Sequence, residues 1–140
     1  MTAYFFDSSA LVKRYAAETG SAWVESLTDP RAGNRVYVAA ITHVEVISAI
    51  ARKKKTLLLS ATDADAAITR FEHDLQHDLL LFNLTPEVIA AAARQAEKHA
   101  LRGYDAVQLA VALEINAART AQQLPSFILI SSDAELNAAA

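Results

Sequence analysis

The sequence predicts a single α/β domain over residues 1–140, built around a parallel β-sheet, and three observations predict it. The chain has 140 residues, a length typical of one compact domain. Hydrophobic residues make up 53% of it, with only three glycines and three prolines, which excludes disordered and collagen-like chains. Short apolar runs alternate with helical patterns, the order typical of parallel strands joined by crossover helices.

Four runs rich in aromatic or β-branched residues predict the strands. They lie at residues 3–6, 36–40, 79–84 and 127–130. Each is followed by residues that begin helices well, so we expect the carboxyl ends of the strands to meet at one edge of the sheet. In sheets of this kind, ligand sites form at that edge.

Helical periodicity predicts the intervening helices. They lie at about 9–17, 20–28, 42–54, 60–78, 86–100 and 104–118. Two residue pairs fit capping boxes, Thr42 with Glu45 and Ser132 with Glu135, and Pro86 stands at a first helical position. The helix 104–118 is apolar nearly all round, which predicts a central, buried helix.

Composition narrows the classes of site and partner. The chain has no cysteine, which excludes disulfides, zinc–thiolate sites and thiol nucleophiles. No run approaches the ~18 apolar residues of a membrane helix, and the opening residues lack the basic region of a signal peptide. We therefore expect a cytoplasmic protein that does not insert into a membrane. The net charge of −3, from 13 basic and 16 acidic residues, is not typical of nucleic-acid-binding proteins.

Four carboxylates are predicted near the carboxyl edge of the sheet. Asp7 follows the first strand, Glu45 lies in the first turn of the helix after the second strand, and Asp133 follows the last strand. Asp105 opens the central helix, at a helix start that can face the other three. Helix capping and the helix dipole explain each of them singly.

The neighbours of these carboxylates favour a metal site over capping alone. Glu45 and Asp105 stand among apolar residues, where a carboxylate is costly unless a positive charge compensates it. Arg102 is the one basic residue within a helical turn of any of the four on a plausible inward face. Mg²⁺ or Mn²⁺ would compensate them, because these hard cations prefer carboxylate oxygen and water.

Four sequence blocks carry a resemblance to a known family. The sequence contains, in order, YFFDSSALVKRY, ITHVEVISAIARK, LRGYDAVQLAVAL and ILISSDAELNAAA. They resemble the conserved segments of PIN-domain ribonucleases, and within these the VapC-like toxins of toxin–antitoxin pairs. The first block resembles the opening strand and D-[ST]-S-A-L-V-K turn, and the third the L-R-x-Y-D-A-x-Q-L-A segment. Each block carries the acid expected of it.

The resemblance implies a fold, a site and a set of partners. The fold is a three-layer α/β/α PIN-like domain with a central parallel sheet of four or five strands. The site is a cluster of Asp7, Glu45, Asp105 and Asp133 that binds Mg²⁺ or Mn²⁺, supported by hydroxyl groups of small polar residues. The supporting residues are Ser9 and Ser131. The implied partners are an RNA substrate, a cognate antitoxin that lays a peptide across the site, and a second copy of the chain.

Our hypothesis for the mechanism is hydrolysis of an RNA phosphodiester by a metal-activated water. Asp7 and Asp105 make the main metal contacts, with Asp133 as a further ligand. Glu45 orients or deprotonates the attacking water, or completes a second metal site. The resemblance implies endonucleolytic cleavage of structured RNA without participation of the 2′-hydroxyl.

Basic residues and histidines supply further candidates. The run Arg52, Lys53, Lys54 and Lys55 is either a solvated helix end or a phosphate-contacting patch, because Arg52 lies two turns from Glu45 on the same helix face. The remaining candidates are histidines. His73 and His77 stand four residues apart in a polar helix, which favours a surface pair over a metal site, and His43 follows the predicted cap Thr42.

The apolar residues of the first helices have two interpretations. Core packing is the usual fate of such side chains, and an apolar groove for a partner is the alternative. The residues concerned are Leu11, Val12, Trp23, Val24 and Leu27.

Several alternatives to a toxin nuclease remain open. A phosphatase or dehalogenase with Asp7 as nucleophile usually has a second aspartate two residues later, where this chain has Ser9. A receiver domain needs a lysine after a late strand, and no lysine follows Lys98. A PIN-type RNA-processing nuclease that is not a toxin, and a catalytically silent binding module of the same fold, are the remaining alternatives.

Overall fold

The protein forms a four-stranded parallel sheet with helices on both faces. A computed structural model describes residues 2–140. The strands are β1 (Ala3–Phe6), β2 (Arg35–Ala39), β3 (Leu80–Phe82) and β4 (Ile128–Ile130). Their order in the sheet is β3-β2-β1-β4, and each neighbouring pair is parallel. The predicted parallel sheet is therefore confirmed, with four strands.

Within residues 2–140, seven α-helices connect and cover the strands. They are α1 (Ser8–Leu11), α2 (Ser21–Thr28), α3 (Ile41–Lys55), α4 (Ala61–His77), α5 (Pro86–His99), α6 (Gly103–Ala121) and α7 (Ala134–Ala139). Short 3₁₀ turns follow α1 and α2, at Val12–Arg14 and Pro30–Ala32. The first residue, Met1, lies outside the described residues.

Alternation along β1 and β2 divides the core between the two faces of the sheet. Phe6 and Val38 pack with residues of α1 to α4 on one face. Phe5 and Ala39 pack with residues of α5, α6 and α7 on the other. The sheet is thus the middle layer of three, which confirms the predicted α/β/α architecture.

The position of β1 in the sheet determines where a site can form. From β1 the chain moves to β2 and β3 on one side, whereas β4 returns to pair on the other side of β1. This reversal creates a topological switch point between β1 and β4, where helices after the two strands leave in different directions. Asp7 and Asp133 follow these two neighbouring strands.

Two predicted capping boxes are wrong. Helix α3 begins at Ile41, one residue before the predicted start, so Thr42 lies inside the helix and is fully buried. At the last helix the N-cap is Asp133 rather than Ser132, because the Asp133 carboxylate accepts a hydrogen bond from the backbone N–H of Leu136. Pro86 is the first residue of α5, as predicted, and Thr85 caps this helix by accepting a hydrogen bond from the backbone N–H of Val88.

The first predicted helix, 9–17, is shorter than expected. The α-helix ends at Leu11, and the chain tightens into a 3₁₀ turn that ends at Arg14. Beyond it, Tyr15 is buried and donates a hydrogen bond of 2.7 Å to Asp74 of α4. Arg14 donates a hydrogen bond of 3.0 Å to the same carboxylate oxygen. The helix therefore ends where its side chains turn towards α4.

No helix within residues 2–140 combines the length and apolar character needed to cross a membrane.

Candidate functional site

The four predicted carboxylates line one cleft at the carboxyl edge of the sheet. Its volume is about 440 Å³. Asp7 comes from the end of β1, Glu45 from α3, Asp105 from the first turn of α6 and Asp133 from the cap of α7. The cleft therefore lies at the switch point, and elements distant in sequence each contribute one carboxylate to it.

Asp7 is the most enclosed carboxylate of the cleft, with 2% of its surface exposed. It caps α1 by accepting a hydrogen bond of 3.0 Å from the backbone N–H of Ala10. Its two oxygens also accept hydrogen bonds from the hydroxyl groups of Ser9 and Ser131. Burial raises the pKa of Asp7, the hydrogen bonds oppose that rise, and the charge of Asp133 adds to it.

Ser9 and Ser131 tie the ends of β1 and β4 together. The backbone N–H of Ser132 donates to the Ser9 hydroxyl at 3.0 Å, and that of Asp133 donates to the Ser131 hydroxyl at 2.9 Å. Each hydroxyl therefore accepts a backbone hydrogen bond while donating to Asp7. The two predicted supporting serines thus orient the carboxylate of Asp7 and hold the segment that carries Asp133.

Glu45 is held by a residue that sequence reasoning did not single out. The side-chain amide of Gln108 donates hydrogen bonds of 2.8 Å to Glu45 and 2.9 Å to the hydroxyl of Thr42. Gln108 is almost fully buried on α6, so it fixes α3 against α6 beside the cleft. Burial raises the pKa of Glu45, and the negative charges of Asp7 and Asp105 raise it further. The hydrogen bond from Gln108 acts in the opposite direction.

Asp105 carries a buried oxygen with no hydrogen-bond donor among the described residues. This atom, Oδ2, lies 3.5 Å from Nε of Arg102, and Nη2 of Arg102 lies 3.4 Å from Oδ2 of Asp133. Burial is the main cause that raises the pKa of Asp105, and repulsion from Asp133 adds to it while Arg102 opposes it. The N-terminus of α6 also favours the negative charge.

The residues of the cleft fit a hard divalent cation. Three of the four carboxylates have a raised pKa because burial and mutual repulsion disfavour their ionised forms. The unpartnered Oδ2 of Asp105 is a ligand atom that the protein leaves available. An oxygen-only donor set without cysteine or histidine is the set that Mg²⁺ and Mn²⁺ prefer.

The predicted basic patch divides into residues with different surroundings. Arg52 lines the cleft with Glu45, and Lys54 is exposed. Lys53 lies 3.3 Å from Glu18, which also pairs with Lys13 at 3.2 Å. Lys53 therefore takes part in an ion-pair cluster that joins α3 to the segment after α1.

The histidines lie away from the four carboxylates. His73 and His77 are exposed on α4, and their rings stack with centroids 4.2 Å apart. His73 also lies near Asp74 and Asp78, but Oδ2 of Asp74 already accepts hydrogen bonds from Arg14 and Tyr15. A separate surface pocket is lined by the exposed His43.

A larger cavity, of about 590 Å³, lies at the opposite edge of the sheet. Its lining includes Arg35, Tyr37 and Arg119 and contains no carboxylate among the described residues. It therefore lacks the donor set of the acidic cleft, which remains the candidate active site.

Of the apolar residues in the first helices, most belong to the core. Leu11, Val12 and Val24 are buried, and Leu27 packs against the same core. Trp23 is the exception, with 55% of its surface exposed beside a small pocket that Ser131 also lines.

Comparison with known proteins identifies the family. The PIN domain family model matches residues 4–140. Ribonuclease VapC45 of Mycobacterium tuberculosis strain CDC 1551 / Oshkosh is 33% identical over 115 residues, which cover 82% of this chain and 78% of that protein. Ribonuclease VapC49 of strain ATCC 25618 / H37Rv matches with the same identity and the same coverage.

Solved structures share the fold. A crystal structure of Mycobacterium tuberculosis VapC20, described as a Sarcin-Ricin loop cleaving toxin, superposes with a TM-score of 0.66 at 14% identity, covering 97% of this chain and 94% of that one. VapBC2 of Rickettsia felis, solved bound to a DNA fragment from its promoter, gives a TM-score of 0.57 at 12% identity, covering 94% of this chain and 100% of that one. The chain belongs to the PIN domain family and, within it, to the VapC-type ribonucleases.

Proposed function

We propose that this protein is a Mg²⁺-dependent endoribonuclease, with Mn²⁺ as the alternative ion. The observation that carries the proposal is the convergence of Asp7, Glu45, Asp105 and Asp133 on one cleft, with Oδ2 of Asp105 buried and without a hydrogen-bond donor. Ribonuclease relatives at 33% identity support RNA as the substrate. The cytoplasm, where such RNA is found, is the proposed location.

The cleft residues would have three roles: binding the cation, accepting a proton and positioning Glu45. Asp7, Asp105 and Asp133 would hold the cation, which when bound neutralises phosphate charge and lowers the pKa of a water molecule. Glu45 would accept the proton of the attacking water, because burial raises its pKa above the ordinary range of a glutamate. Gln108 keeps the Glu45 carboxylate directed into the cleft through its 2.8 Å hydrogen bond.

RNA cleavage by the purified protein tests this proposal. We expect cleavage of total RNA in Mg²⁺, no cleavage in EDTA, and loss of at least two orders of magnitude in rate for Asp7→Asn and Asp105→Asn. Asp65→Asn, at an exposed position on α4, is the matched control and should cut like the parent. Equal rates for the parent and both cleft variants would refute the assignment, and sequencing the cleavage ends would identify the target RNA.

The toxin role and the partners extend the proposal. We infer that the chain is the toxin of a toxin–antitoxin pair and forms a homodimer. The solved VapBC2 assembly supports an antitoxin partner, and the exposed Trp23 beside Ser131 offers an apolar contact close to the cleft. Light scattering should give the mass of a dimer, and expression should arrest growth unless a cognate antitoxin is expressed with it. A monomer mass would refute the dimer, and unaffected growth would refute the toxin role.

A further inference from the structure

Arg102 and Tyr104 form a rim of the cleft that has no role in the chemistry described above. Tyr104 is 44% exposed, and the guanidinium carbon of Arg102 lies 5.3 Å from the centroid of its ring. Both residues line the cleft together with Asp105. An exposed aromatic ring next to a guanidinium is a surface on which unstacked nucleobases and phosphates bind.

The contacts of Arg102 leave it available to a ligand. Its two contacts with carboxylates, at 3.5 Å to Asp105 and 3.4 Å to Asp133, are longer than the roughly 2.7–2.9 Å of a strong charge-assisted hydrogen bond. The side chain is 62% exposed, and it makes no capping hydrogen bond although Arg102 is the N-cap of α6. The guanidinium is therefore held near the cleft without being fixed in it.

A bound cation would change the charges that surround the guanidinium of Arg102. The cleft is lined by four carboxylates and by the two cations Arg52 and Arg102. Asp105 and Asp133, the two carboxylates that Arg102 contacts, are also residues that would hold the proposed cation, whose charge would weaken their attraction for the guanidinium beside Tyr104. A nearby phosphate would then be the natural partner of this charge.

We propose that Arg102 and Tyr104 bind an unpaired nucleotide of the RNA next to the bond that is cut. The base stacks on the Tyr104 ring, and the adjoining phosphate contacts the Arg102 guanidinium. A base within a duplex is stacked on both faces and cannot offer one to Tyr104, so the substrate is a loop or single strand at this position. This inference rests on the proposed ribonuclease function and assigns to it two residues that bind the substrate.

Steady-state cleavage of matched oligonucleotides tests the stack. The substrate is a single RNA strand that contains the mapped cleavage site, either alone or annealed to its complement. We expect the parent to cut the single strand and to lose most activity on the duplex. Tyr104→Ala should raise KM for the single strand roughly 5- to 150-fold with a smaller change in kcat, and Tyr104→Phe, which keeps the ring, should restore it. Thermal melting of each variant verifies that it folds.

Base stacking can also be detected without cleavage. With 2-aminopurine beside the cleavage site and Ca²⁺ replacing Mg²⁺, we expect fluorescence quenching by the parent and by Tyr104→Phe, and none by Tyr104→Ala. Arg102→Ala should reduce the salt dependence of binding by about 0.7 in the slope of log K against log salt, the contribution of one phosphate contact. Arg94→Ala, at an exposed position on α5, is the control and should leave the slope unchanged.

The outcomes separate this inference from the proposed function. A parent that cuts RNA, with Tyr104→Ala unchanged in KM and in quenching, or with duplex cut as fast as single strand, would overturn the inference and leave the ribonuclease assignment standing. A parent that neither cuts nor binds RNA in any divalent cation would overturn both.

Discussion

At the residue scale, the carboxylates of the cleft reduce stability when no cation compensates them. Burial raises the pKa of Asp7, Glu45 and Asp105, so the folded state disfavours their ionised forms relative to the unfolded chain. For such groups the folded state loses stability relative to the unfolded chain as pH rises through the raised, folded-state pKa. Sites built for function commonly carry such a cost.

Replacing Asp105 with asparagine should therefore stabilise the metal-free protein. Burial and repulsion from Asp133 disfavour the charge of Asp105, whose Oδ2 accepts no hydrogen bond, so Asp105→Asn removes a repelled charge and loses only the 3.5 Å ion pair with the exposed Arg102. In EDTA at pH 7 we expect an increase of about 0.5–2 kcal/mol in the free energy of unfolding, measured by urea denaturation. Mg²⁺ should stabilise the parent but not the variant, because only the parent keeps the ligand.

The exposed variant Asp65→Asn is the control for this measurement, because it removes one charge away from the cleft. Equal unfolding free energies for Asp105→Asn and the parent in EDTA would show that Asp105 is not under electrostatic strain. An undiminished Mg²⁺ effect in the variant would show that Asp105 is not a ligand.

Ser131 is a second residue whose loss should change the function of the cleft, through its effect on Mg²⁺ binding. Its hydroxyl donates to Asp7 and accepts from the backbone N–H of Asp133, so it acts on two proposed ligands at once. Ser131→Ala should raise the Mg²⁺ concentration needed for half-maximal cleavage about 10- to 100-fold, the usual effect of removing a partner of a metal ligand. Ser126→Ala, at an exposed position, should leave the Mg²⁺ titration unchanged; an identical titration for Ser131→Ala would contradict the role given to it.

At the element scale, a buried ion pair joins α4 to the segment after α1. Arg14 and Asp74 are both at least nine-tenths buried and lie 3.0 Å apart, and Tyr15 donates a further hydrogen bond to Asp74. Burial alone would raise the pKa of Asp74, but the Tyr15 hydroxyl and the Arg14 guanidinium together hold it below its ordinary range. The pair thus fixes α4 with its carboxylate ionised.

Loss of this carboxylate should be costly and should change the pH dependence of stability. Folding lowers the pKa of Asp74, so the ionised carboxylate stabilises the folded state. This contribution to the free energy of unfolding is complete above the ordinary aspartate pKa of about 3.9, and it is lost as pH falls through the lower pKa of the folded state. We expect Asp74→Ala to lose about 3–5 kcal/mol at pH 7, because the buried Arg14 loses its only counter-ion among the described residues and keeps a hydrogen bond of 2.9 Å to the hydroxyl of Thr28. The parent–variant difference, measured by urea denaturation, should shrink as pH falls towards 3.

A double variant separates the charge from the packing. Arg14→Met with Asp74→Leu removes both charges and keeps apolar volume, so it should recover much of the loss. A constant parent–variant difference between pH 7 and pH 3 would contradict the ionised state of Asp74.

The elements were largely predictable because their signals are local. Apolar runs of four to six residues indicated all four strands to within about two residues, and 3.6-residue periodicity indicated the long helices. The cap of α3 was mispredicted because a distant side chain holds Thr42, which is bonded to Gln108, 66 residues away. The cap of α7 was mispredicted because Ser132 and its neighbour Asp133 are both good N-cap residues, and Asp133 takes the position.

The four acids and the two serines beside Asp7 were predicted, but the residues that contact Glu45 and Asp133 were not. Asp7, Glu45 and Asp133 follow strands, so parallel pairing was enough to expect them at one edge of the sheet. Gln108 gave no signal, because a glutamine within a helix is common and its partners lie on another helix. Arg102 stood out as a neighbour of Asp105, but its contact with Asp133 depends on how α6 packs beside β4.

At the scale of the whole molecule, the net negative charge of the chain comes from the carboxylates of the cleft. The formal net charge is −3, yet the four carboxylates of the cleft account for more than this, and the rest of the chain carries +1. Bound divalent cations would neutralise the cleft and leave Arg52 at its edge and Lys54 nearby as the positive surface. RNA binding should therefore require a divalent cation even at low salt.

The basic end of α3 should carry part of the salt dependence of RNA binding. Arg52 lines the cleft and Lys54 is exposed, whereas Lys53 is already paired with Glu18. We therefore expect Arg52→Glu with Lys54→Glu to weaken binding and to reduce the slope of log K against log salt by about 0.7 for each lost phosphate contact, measured by fluorescence anisotropy in Ca²⁺.

Two controls make that prediction specific to the basic end of α3. Lys98→Glu, in the last turn of α5, makes a charge reversal away from the cleft and should leave the slope unchanged. Lys53→Glu should lower thermal stability, because it repels Glu18, and should change the slope less than the double variant does. A double variant with the parent's slope would mean that RNA approaches the carboxylates from the Arg102 side of the cleft alone.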